Sequence, residues 1–220
     1  QMCIRDSCIE RLLTWGAFWS QRASAIGAAG TTAVVGHAFL ERWFEKIKND
    51  GAGAPLDRAR ITVMSNPGFT QRLAELAVTL QRALPSQQIW FKAHPKEKVL
   101  MEILGELHAG GVRVWEQDAT AYEAMSRSRL VIGVWSATLV ESLRFRCMPI
   151  VLKQPGWEVL EDLVLGGSLR AVETADEVAE LVRNPQPTGG LRDPDFFASY
   201  SAPAMARALA DVASASRRTR

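Results

Sequence analysis

Short apolar runs alternate with longer segments of helical period over most of the chain. The predicted strands are residues 60–65, 88–93, 112–115, 129–134, 148–152 and 168–172. The predicted helices are about residues 69–84, 96–108, 120–127, 137–145, 156–165 and 175–183. Continuous apolar runs are typical of strands buried on both faces, and strand-helix alternation favours parallel strands joined by right-handed crossovers. The pattern therefore predicts an α/β fold with a Rossmann-like, doubly wound parallel sheet.

The two ends of the chain show a less regular pattern. The spacing of Trp15, Phe18 and Trp19 predicts one aromatic stripe on a helix over residues 8–30, and such a stripe needs a packing partner. The other predicted features are a β-prone run at 32–36, a helix at 38–48, a linker at 49–55, a Pro/Gly loop at 184–190, a helix at 203–216 and a basic tail at 217–220.

The ends also decide the expected domain organisation. Residues 1–7 resemble the translated read-through of a sequencing adapter, so they are set aside from the fold. On this interpretation the chain is a fragment of a longer protein. Residues 8–55 are then a connector or the remnant of an absent N-terminal domain, residues 56–185 form the Rossmann-like domain, and residues 186–220 form a C-terminal loop, helix and tail.

Composition narrows the class of protein. The chain has 220 residues, of which 47% are apolar, and 26 Lys+Arg against 24 Asp+Glu give a net charge of +2. These values argue against disorder and against a basic nucleic-acid-binding surface. No apolar run reaches the roughly 20 residues that a membrane span needs, and three cysteines favour a reducing compartment over a disulfide framework. We expect a cytoplasmic protein, with peripheral contact at the inner face of the membrane left open.

The first candidate binding position follows the second predicted strand. Ligands of doubly wound sheets bind at the carboxyl ends of the strands, near the point where the strand order reverses. His94 lies there, and Pro95 suits the first position of the following helix. The His94 imidazole, with Lys92 and Lys96 close in sequence, could donate hydrogen bonds to phosphate oxygens at that helix N-terminus. The alternative is that His94 only caps the helix and that both lysines are solvated.

The second position opens the helix after the fourth predicted strand. Ser136 suits an N-cap, and the Ser136 and Thr138 hydroxyls could bind a phosphate together with unpaired backbone N–H groups. Glu141 lies on the same helix face as Thr138, about 4.5 Å further along the axis, so it could accept hydrogen bonds from ribose hydroxyls. The alternative is a simple cap and a surface glutamate that pairs with Arg144.

The third position is Ser65, directly after the first predicted strand. In the common strand order 3-2-1-4-5-6, the first and fourth strands flank the switch point. Ser65 then faces Ser136 across the crevice, and His94 emerges from the neighbouring strand. The three positions therefore predict one phosphate-binding pocket, while Glu116-Gln117-Asp118 after the third strand is better explained as a solvated turn than as a contact to a base.

Three further motifs carry less weight. Gly27-Ala28-Ala29-Gly30 has no preceding strand, so it is better explained as a connector than as a dinucleotide loop. Asp193-Pro194-Asp195 follows a Gly-Gly loop rather than a strand, so it predicts no metal site. Cys147 has no paired histidine or acid in sequence, which favours a core cysteine over a nucleophile.

Two segments carry a resemblance to a known family. Lys92-Ala93-His94-Pro95-Lys96-Glu97, followed by Gly133-Val134-Trp135-Ser136-Ala137-Thr138-Leu139-Val140-Glu141-Ser142, resembles the C-terminal, nucleotide-sugar-binding half of GT-B glycosyltransferases. The chain is similar to bacterial capsule and surface-polysaccharide enzymes with a His-Pro motif, of the sialyltransferase and polysialyltransferase kind, and more loosely to CDP-glycerol glycerophosphotransferases. Ser136-Ala137-Thr138 departs from the adjacent serine pair of those enzymes, which leaves the donor open.

The resemblance implies a function. His94, Ser136 and Thr138 would contact the phosphate of a CMP-, CDP- or UDP-linked sugar, and Glu141 would hold its ribose, with no cofactor. The absent N-terminal domain would supply the catalytic base and bind the glycan acceptor. The chain is then expected to be the donor-binding domain of an inverting, metal-independent glycosyltransferase of surface or capsular polysaccharide synthesis, which binds but scarcely turns over alone. The alternatives are an isomerase similar to UDP-N-acetylglucosamine 2-epimerase and a noncatalytic nucleotide-binding module.

Overall fold

The computed structural model describes residues 11–27, 31–49, 59–97, 99, 101–185 and 193–218. The adapter-like segment, most of the predicted linker and most of the Pro/Gly loop lie outside these residues. The chain divides into two compact units, which are Gln1–Trp43 with Arg192–Arg220, and Phe44–Leu191. No described helix is both long enough and apolar enough to cross a membrane.

The smaller unit contains one pair of parallel strands and short helices. Its elements are β1 (Arg11–Thr14), α1 (Ala17–Ala25), β2 (Thr31–Val34), the first half of α2 (Ala38–Asn49), α9 (Asp193–Phe196) and α10 (Ala202–Arg218). Strand β1 pairs with β2 in parallel. The prediction of a helix over residues 8–30 was therefore wrong at residues 11–14. A four-residue strand is too short for its period to separate it from the helix that follows.

The predicted aromatic stripe does find its packing partner. Trp19 donates its indole N–H to the carbonyl of Phe196 at 3.0 Å, and the Phe18 and Phe196 ring centroids are 4.9 Å apart. Trp15 precedes α1 and lies 5.6 Å from the Trp19 ring. The aromatic side chains thus form the apolar centre of this unit.

The larger unit contains the second half of α2 and the main sheet. Its elements are β3 (Arg60–Met64), α3 (Thr70–Ala83), β4 (Gln88–Lys92), α4 (Met101–Ala109), β5 (Arg113–Val114), α5 (Ala121–Ser126), β6 (Ser128–Gly133), α6 (Ala137–Glu141), β7 (Met148–Leu152), α7 (Glu161–Leu165), β8 (Arg170–Val172) and α8 (Ala175–Arg183). Two 3₁₀ turns, Ser142–Phe145 and Trp157–Leu160, extend α6 and precede α7. The six predicted strands and six predicted helices are all present.

The six strands form one parallel sheet in the order β5-β4-β3-β6-β7-β8. Counted from β3, this is the expected order 3-2-1-4-5-6, so the predicted Rossmann-like fold is confirmed. The order reverses between β3 and β6, because consecutive strands extend in opposite directions from that point. The switch point lies there, in the middle of the sheet.

One face of this sheet packs against α3, α4 and α8. Ile61, Val63, Phe91 and Ile132 on this face are fully buried. Side chains alternate between faces along a strand, so the apolar members of each run meet the helices and fix the register. The aligned register brings the carboxyl ends of the central strands to one edge, where the candidate site lies.

Candidate functional site at the switch point

The site is built where three central strands end side by side. Met64 of β3 is in register with Lys92 of β4, and Val63 is in register with Ile132 of β6. The residues that follow these strand ends therefore lie at one edge of the sheet. Ser65, His94 and Ser136 all belong to this set, so the structure brings together the three positions that the sequence predicted.

Ser65 joins two of the loops. It is buried, its hydroxyl donates to Glu97 Oε2 at 2.8 Å and lies 2.8 Å from Thr70 Oγ1, and its backbone N–H donates to the carbonyl of Lys92 at 2.8 Å. Thr70 also donates to the other carboxylate oxygen of Glu97. The Glu97 carboxylate thus ties the loop after β3 to the loop after β4, and the Ser65 hydroxyl hydrogen is used in that link.

His94 lies in a turn rather than at a helix N-terminus. Its carbonyl accepts the backbone N–H of Glu97 at 2.9 Å, and α4 begins only at Met101. The expectation that Pro95 opens a helix at residue 96 was wrong, because residues 94–97 close a turn and the helix begins at Met101. His94 is half-buried, and Lys96 is exposed beside it.

The turn fixes the orientation of the His94 ring. Nδ1 accepts the backbone N–H of Lys96 at 3.2 Å. A ring nitrogen that accepts carries no proton, so the proton of the neutral imidazole is on Nε2. The ring therefore presents an N–H donor on the side away from Lys96.

Lys92 points away from this turn. It is 4% exposed, and Nζ donates to the carbonyls of Glu116 and Gln117 at 3.3 and 3.4 Å. Burial lowers the pKa of Lys92, and the nearby charges of Asp118 and Glu123 partly oppose that shift. The expected role of Lys92 at a phosphate was therefore wrong, since its ammonium group holds the turn after β5.

Ser136 is the N-cap of α6, as its residue type predicted. Its Oγ accepts the backbone N–H of Thr138 at 3.2 Å and donates to Thr138 Oγ1 at 3.0 Å. Because the Thr138 hydroxyl accepts from Ser136, its own hydrogen can be donated to a ligand. Both side chains are half-buried and lie one turn before Glu141.

Glu141 is anchored by a tyrosine. The buried Tyr122 hydroxyl, from α5, donates to the Glu141 carboxylate. Burial raises the pKa of Tyr122, and the negative charge and hydrogen bond of Glu141 raise it further. A carboxylate has about four lone-pair sites, so one bond from Tyr122 leaves Glu141 able to accept others.

Several of these groups are not evident from the sequence. Glu97 and Trp135 stand inside the two motifs, but nothing in the motifs indicates their contacts. Tyr122 and Asn66 lie outside the motifs, and Asn66 Nδ2 donates to the carbonyl of Trp135 at 3.4 Å. A polar residue next to a strand end is the only sequence signal for Asn66, and for Tyr122 we find none. The described residues include no cluster of three or more His, Cys, Asp or Glu that could hold a metal.

Solved structures that share this fold include two UDP-N-acetylglucosamine 2-epimerases. The Methanocaldococcus jannaschii UDP-N-acetylglucosamine 2-epimerase, solved with UDP-N-acetylglucosamine and UDP, gives a TM-score of 0.61 at 12% identity over 91% of this chain and 61% of that chain. A candidate UDP-N-acetylglucosamine 2-epimerase of Listeria monocytogenes gives 0.58 at 14% identity over 91% and 58%. Thermosulfurimonas dismutans KpsC, a beta Kdo 2,4 transferase, gives 0.35 at 15% identity over 64% and 50%.

The comparisons show a shared fold and no more. The chain has the GT-B-like, Rossmann-type fold of the two epimerases, and it spans about three fifths of their length. No model of a known protein family matches the sequence, and no curated protein matches it.

Proposed function

We propose that this chain is the nucleotide-sugar-binding domain of a GT-B-type glycosyltransferase in surface or capsular polysaccharide synthesis. The observation that carries the proposal is the strand order, which places the imidazole donor after β4 and the hydroxyl donor after β6 on either side of β3, at the switch point. Switch points are where doubly wound sheets bind nucleotides. The M. jannaschii epimerase, which has this fold, was solved with UDP-N-acetylglucosamine and UDP, which supports the nucleotide-sugar part of the proposal.

The donor groups fit the phosphate of such a ligand. His94 offers Nε2–H, Thr138 offers its hydroxyl hydrogen, and exposed Lys96 adds a positive charge beside the turn. Ser136 holds Thr138 in place, and Ser65 holds the turn that carries His94. In this proposal Glu141, fixed by Tyr122, accepts the ribose hydroxyls of the same nucleotide.

The same groups suit an inverting, metal-independent transfer. An acceptor hydroxyl, deprotonated by a base from a further N-terminal domain, attacks the anomeric carbon and displaces the nucleotide. Negative charge grows on the departing phosphate during this step, so positively polarised donors that are already in place stabilise the transition state more than the ground state. His94 and Lys96 supply that stabilisation from this chain.

Calorimetric titration of the chain with CMP, CDP and UDP tests the pocket. We expect His94→Ala to weaken binding of the preferred nucleotide by about tenfold or more, the effect of losing a hydrogen bond to a charged group. Ser136→Ala should weaken it as well, because Thr138 then loses the hydrogen bond that orients its hydroxyl. Exposed His108 and Ser86 serve as matched controls, because His108 is near the end of α4 and Ser86 precedes β4 at the opposite edge of the sheet. Equal affinity in wild type and both site variants would reject the pocket.

An isomerase is the second candidate, and the TM-scores of 0.61 and 0.58 to two 2-epimerase structures favour it. Incubation of a longer protein, which joins this chain to the proposed N-terminal domain, with UDP-N-acetylglucosamine in D₂O, followed by NMR, separates the two functions. Deuterium at C2 of the sugar or a C2 epimer would support the isomerase. An unchanged C2 position, with release of UDP only when an acceptor is present, would support the transferase.

A further inference from the structure

Trp135 is a large aromatic side chain left partly open at the candidate site. It directly precedes Ser136, and 40% of the residue is exposed. Most apolar side chains of the six strands are buried, whereas this indole at the end of β6 is not. An exposed aromatic ring beside convergent polar groups is a common feature of ligand pockets.

The Trp135 ring is held in one position. Its Nε1 donates to the carbonyl of Pro155 at 3.0 Å, in the loop after β7. A Cβ placed on Gly156 would come within 2.7 Å of Nε1 and 2.9 Å of Cδ1, so one side of the indole rests directly on the glycine backbone. The ring therefore loses little side-chain entropy when a ligand packs against it.

The position of the ring indicates which part of a donor it meets. Glu141 is the last residue of α6 and is bound to Tyr122 of α5, whereas Trp135 precedes the N-cap of the same helix and is bound to the loop after β7. Ser136 and Thr138 lie between them, at the end of β6. A nucleotide with its ribose at Glu141 and its phosphate at Thr138 thus directs the group beyond the phosphate towards Trp135.

We propose that Trp135 is the stacking platform for the sugar ring of the donor, and that the substrate is a nucleotide-linked pyranose rather than a nucleotide-linked glycerol. This inference rests on the proposed function. A pyranose presents a flat face of C–H groups that packs on an indole and buries apolar surface, whereas a glycerol chain has no such face. Trp135 then contributes to sugar binding and not to nucleotide binding.

The test compares each nucleotide with its conjugate in calorimetric titrations of the chain. The pairs are UDP with UDP-N-acetylglucosamine, CMP with its sialic acid conjugate, and CDP with CDP-glycerol. We expect Trp135→Ala to weaken binding of the preferred sugar conjugate by about tenfold while the free nucleotide changes less than about twofold. Trp135→Phe should keep most of the extra affinity for the sugar conjugate. Phe39→Ala removes an exposed aromatic ring in the smaller unit and is the matched control.

The outcomes separate this inference from the proposed function. An equal loss of affinity for nucleotide and conjugate in Trp135→Ala would overturn the sugar assignment, while sensitivity to His94→Ala would leave the pocket intact. CDP-glycerol binding that depends on Trp135 would also overturn it. If wild type bound none of the nucleotides or conjugates, both proposals would fail. Should Trp135→Ala not fold, Trp135→Leu gives the same comparison with an aliphatic side chain of substantial size.

Discussion

At the scale of single residues, Gly156 has two reasons to be glycine. Its φ is +100°, and a Cβ there would clash with the Trp135 indole. Gly68, in the loop after β3, has a φ of +91° but no atom within 4 Å of its Cβ position. Alanine substitutions at Gly68 and Gly156 therefore separate the cost of the backbone conformation from the cost of the clash.

We therefore predict that Gly156→Ala destabilises the fold more than Gly68→Ala. Gly68→Ala should lower the free energy of unfolding by about 1 kcal/mol, the cost of a left-handed backbone for alanine. Gly156→Ala should lower it by about 3 kcal/mol, because the clash with the ring adds to that cost. Urea unfolding followed by circular dichroism measures both values, and equal losses would show that the ring moves aside freely.

Tyr122→Phe probes the anchor of Glu141 and has a defined pH dependence. Removing the hydroxyl should cost about 1 kcal/mol at pH 7, a typical hydrogen-bond contribution. The folded-state pKa of Tyr122 is raised, so the folded protein keeps this proton at pH values where the unfolded chain loses it. The stability from Tyr122 is thus complete below about pH 10, the ordinary tyrosine value, and disappears as pH rises further.

Urea unfolding of wild type and Tyr122→Phe between pH 7 and 11 measures this difference. The free energies of unfolding of the two proteins should converge above about pH 10, because only wild type has the tyrosine whose contribution to stability is lost there. A difference that stays constant over the whole range would contradict a buried tyrosine donor at Glu141.

At the scale of secondary-structure elements, the sequence predicts the larger unit well for a physical reason. Strands buried on both faces must be apolar throughout, so each of the six runs stands out against its polar turns. The strand order follows from the known preference of doubly wound sheets. Helix α4 was placed too early because Pro95 suits the second position of a turn as well as the first position of a helix, and residues 94–97 form a turn.

The candidate site was predicted in part for the same reason. Ser65, His94 and Ser136 could be selected because strand ends are visible in the sequence. The contacts of Glu97, Tyr122 and Trp135 could not, because each joins two loops or helices whose pairing exists only in the folded chain. The direction of Lys92 was missed because strand alternation alone does not show which carbonyls its ammonium group reaches.

Helix α5, which carries Tyr122, begins with a capping box. Thr120 Oγ1 accepts the backbone N–H of Glu123 at 3.1 Å, and Glu123 Oε2 accepts the N–H of Thr120 at 2.6 Å. We predict that Thr120→Ala lowers the free energy of unfolding by about 1 kcal/mol. Thr120→Ser should keep most of the stabilisation that the cap provides, because serine has the same hydroxyl. Thermal and urea unfolding measure the change, and equal effects of serine and alanine would rule out the capping role.

Acid should weaken this cap. The hydrogen bond from the Thr120 backbone lowers the pKa of Glu123. A lowered folded-state pKa means that the contribution of Glu123 is present above its ordinary value of about 4.3 and is lost as pH falls below it. The difference in the free energy of unfolding between Glu123→Ala and wild type should therefore shrink at pH 3 relative to pH 7, as urea unfolding measures.

At the scale of the whole molecule, the main core and the candidate site belong to one unit. Every member of the apolar cluster on the sheet lies between Ile61 and Val182, inside the unit Phe44–Leu191. The six proposed site residues and their anchors lie in the same unit. A fragment of residues 44–191 therefore retains the whole sheet, its α3, α4 and α8 layer, and the switch-point edge.

We predict that this fragment folds by itself and keeps the nucleotide affinity of the full chain within about twofold. Folding of a single core gives one cooperative transition, so guanidinium unfolding should show a single step by fluorescence and circular dichroism alike. His94→Ala should weaken nucleotide binding equally in fragment and full chain, because the turn that orients the imidazole is closed by Ser65 and Glu97 within the fragment. A folded fragment with no affinity, beside a full chain that binds, would mean that residues outside 44–191 complete the site. In that case the switch-point donors alone do not account for recognition of the phosphate.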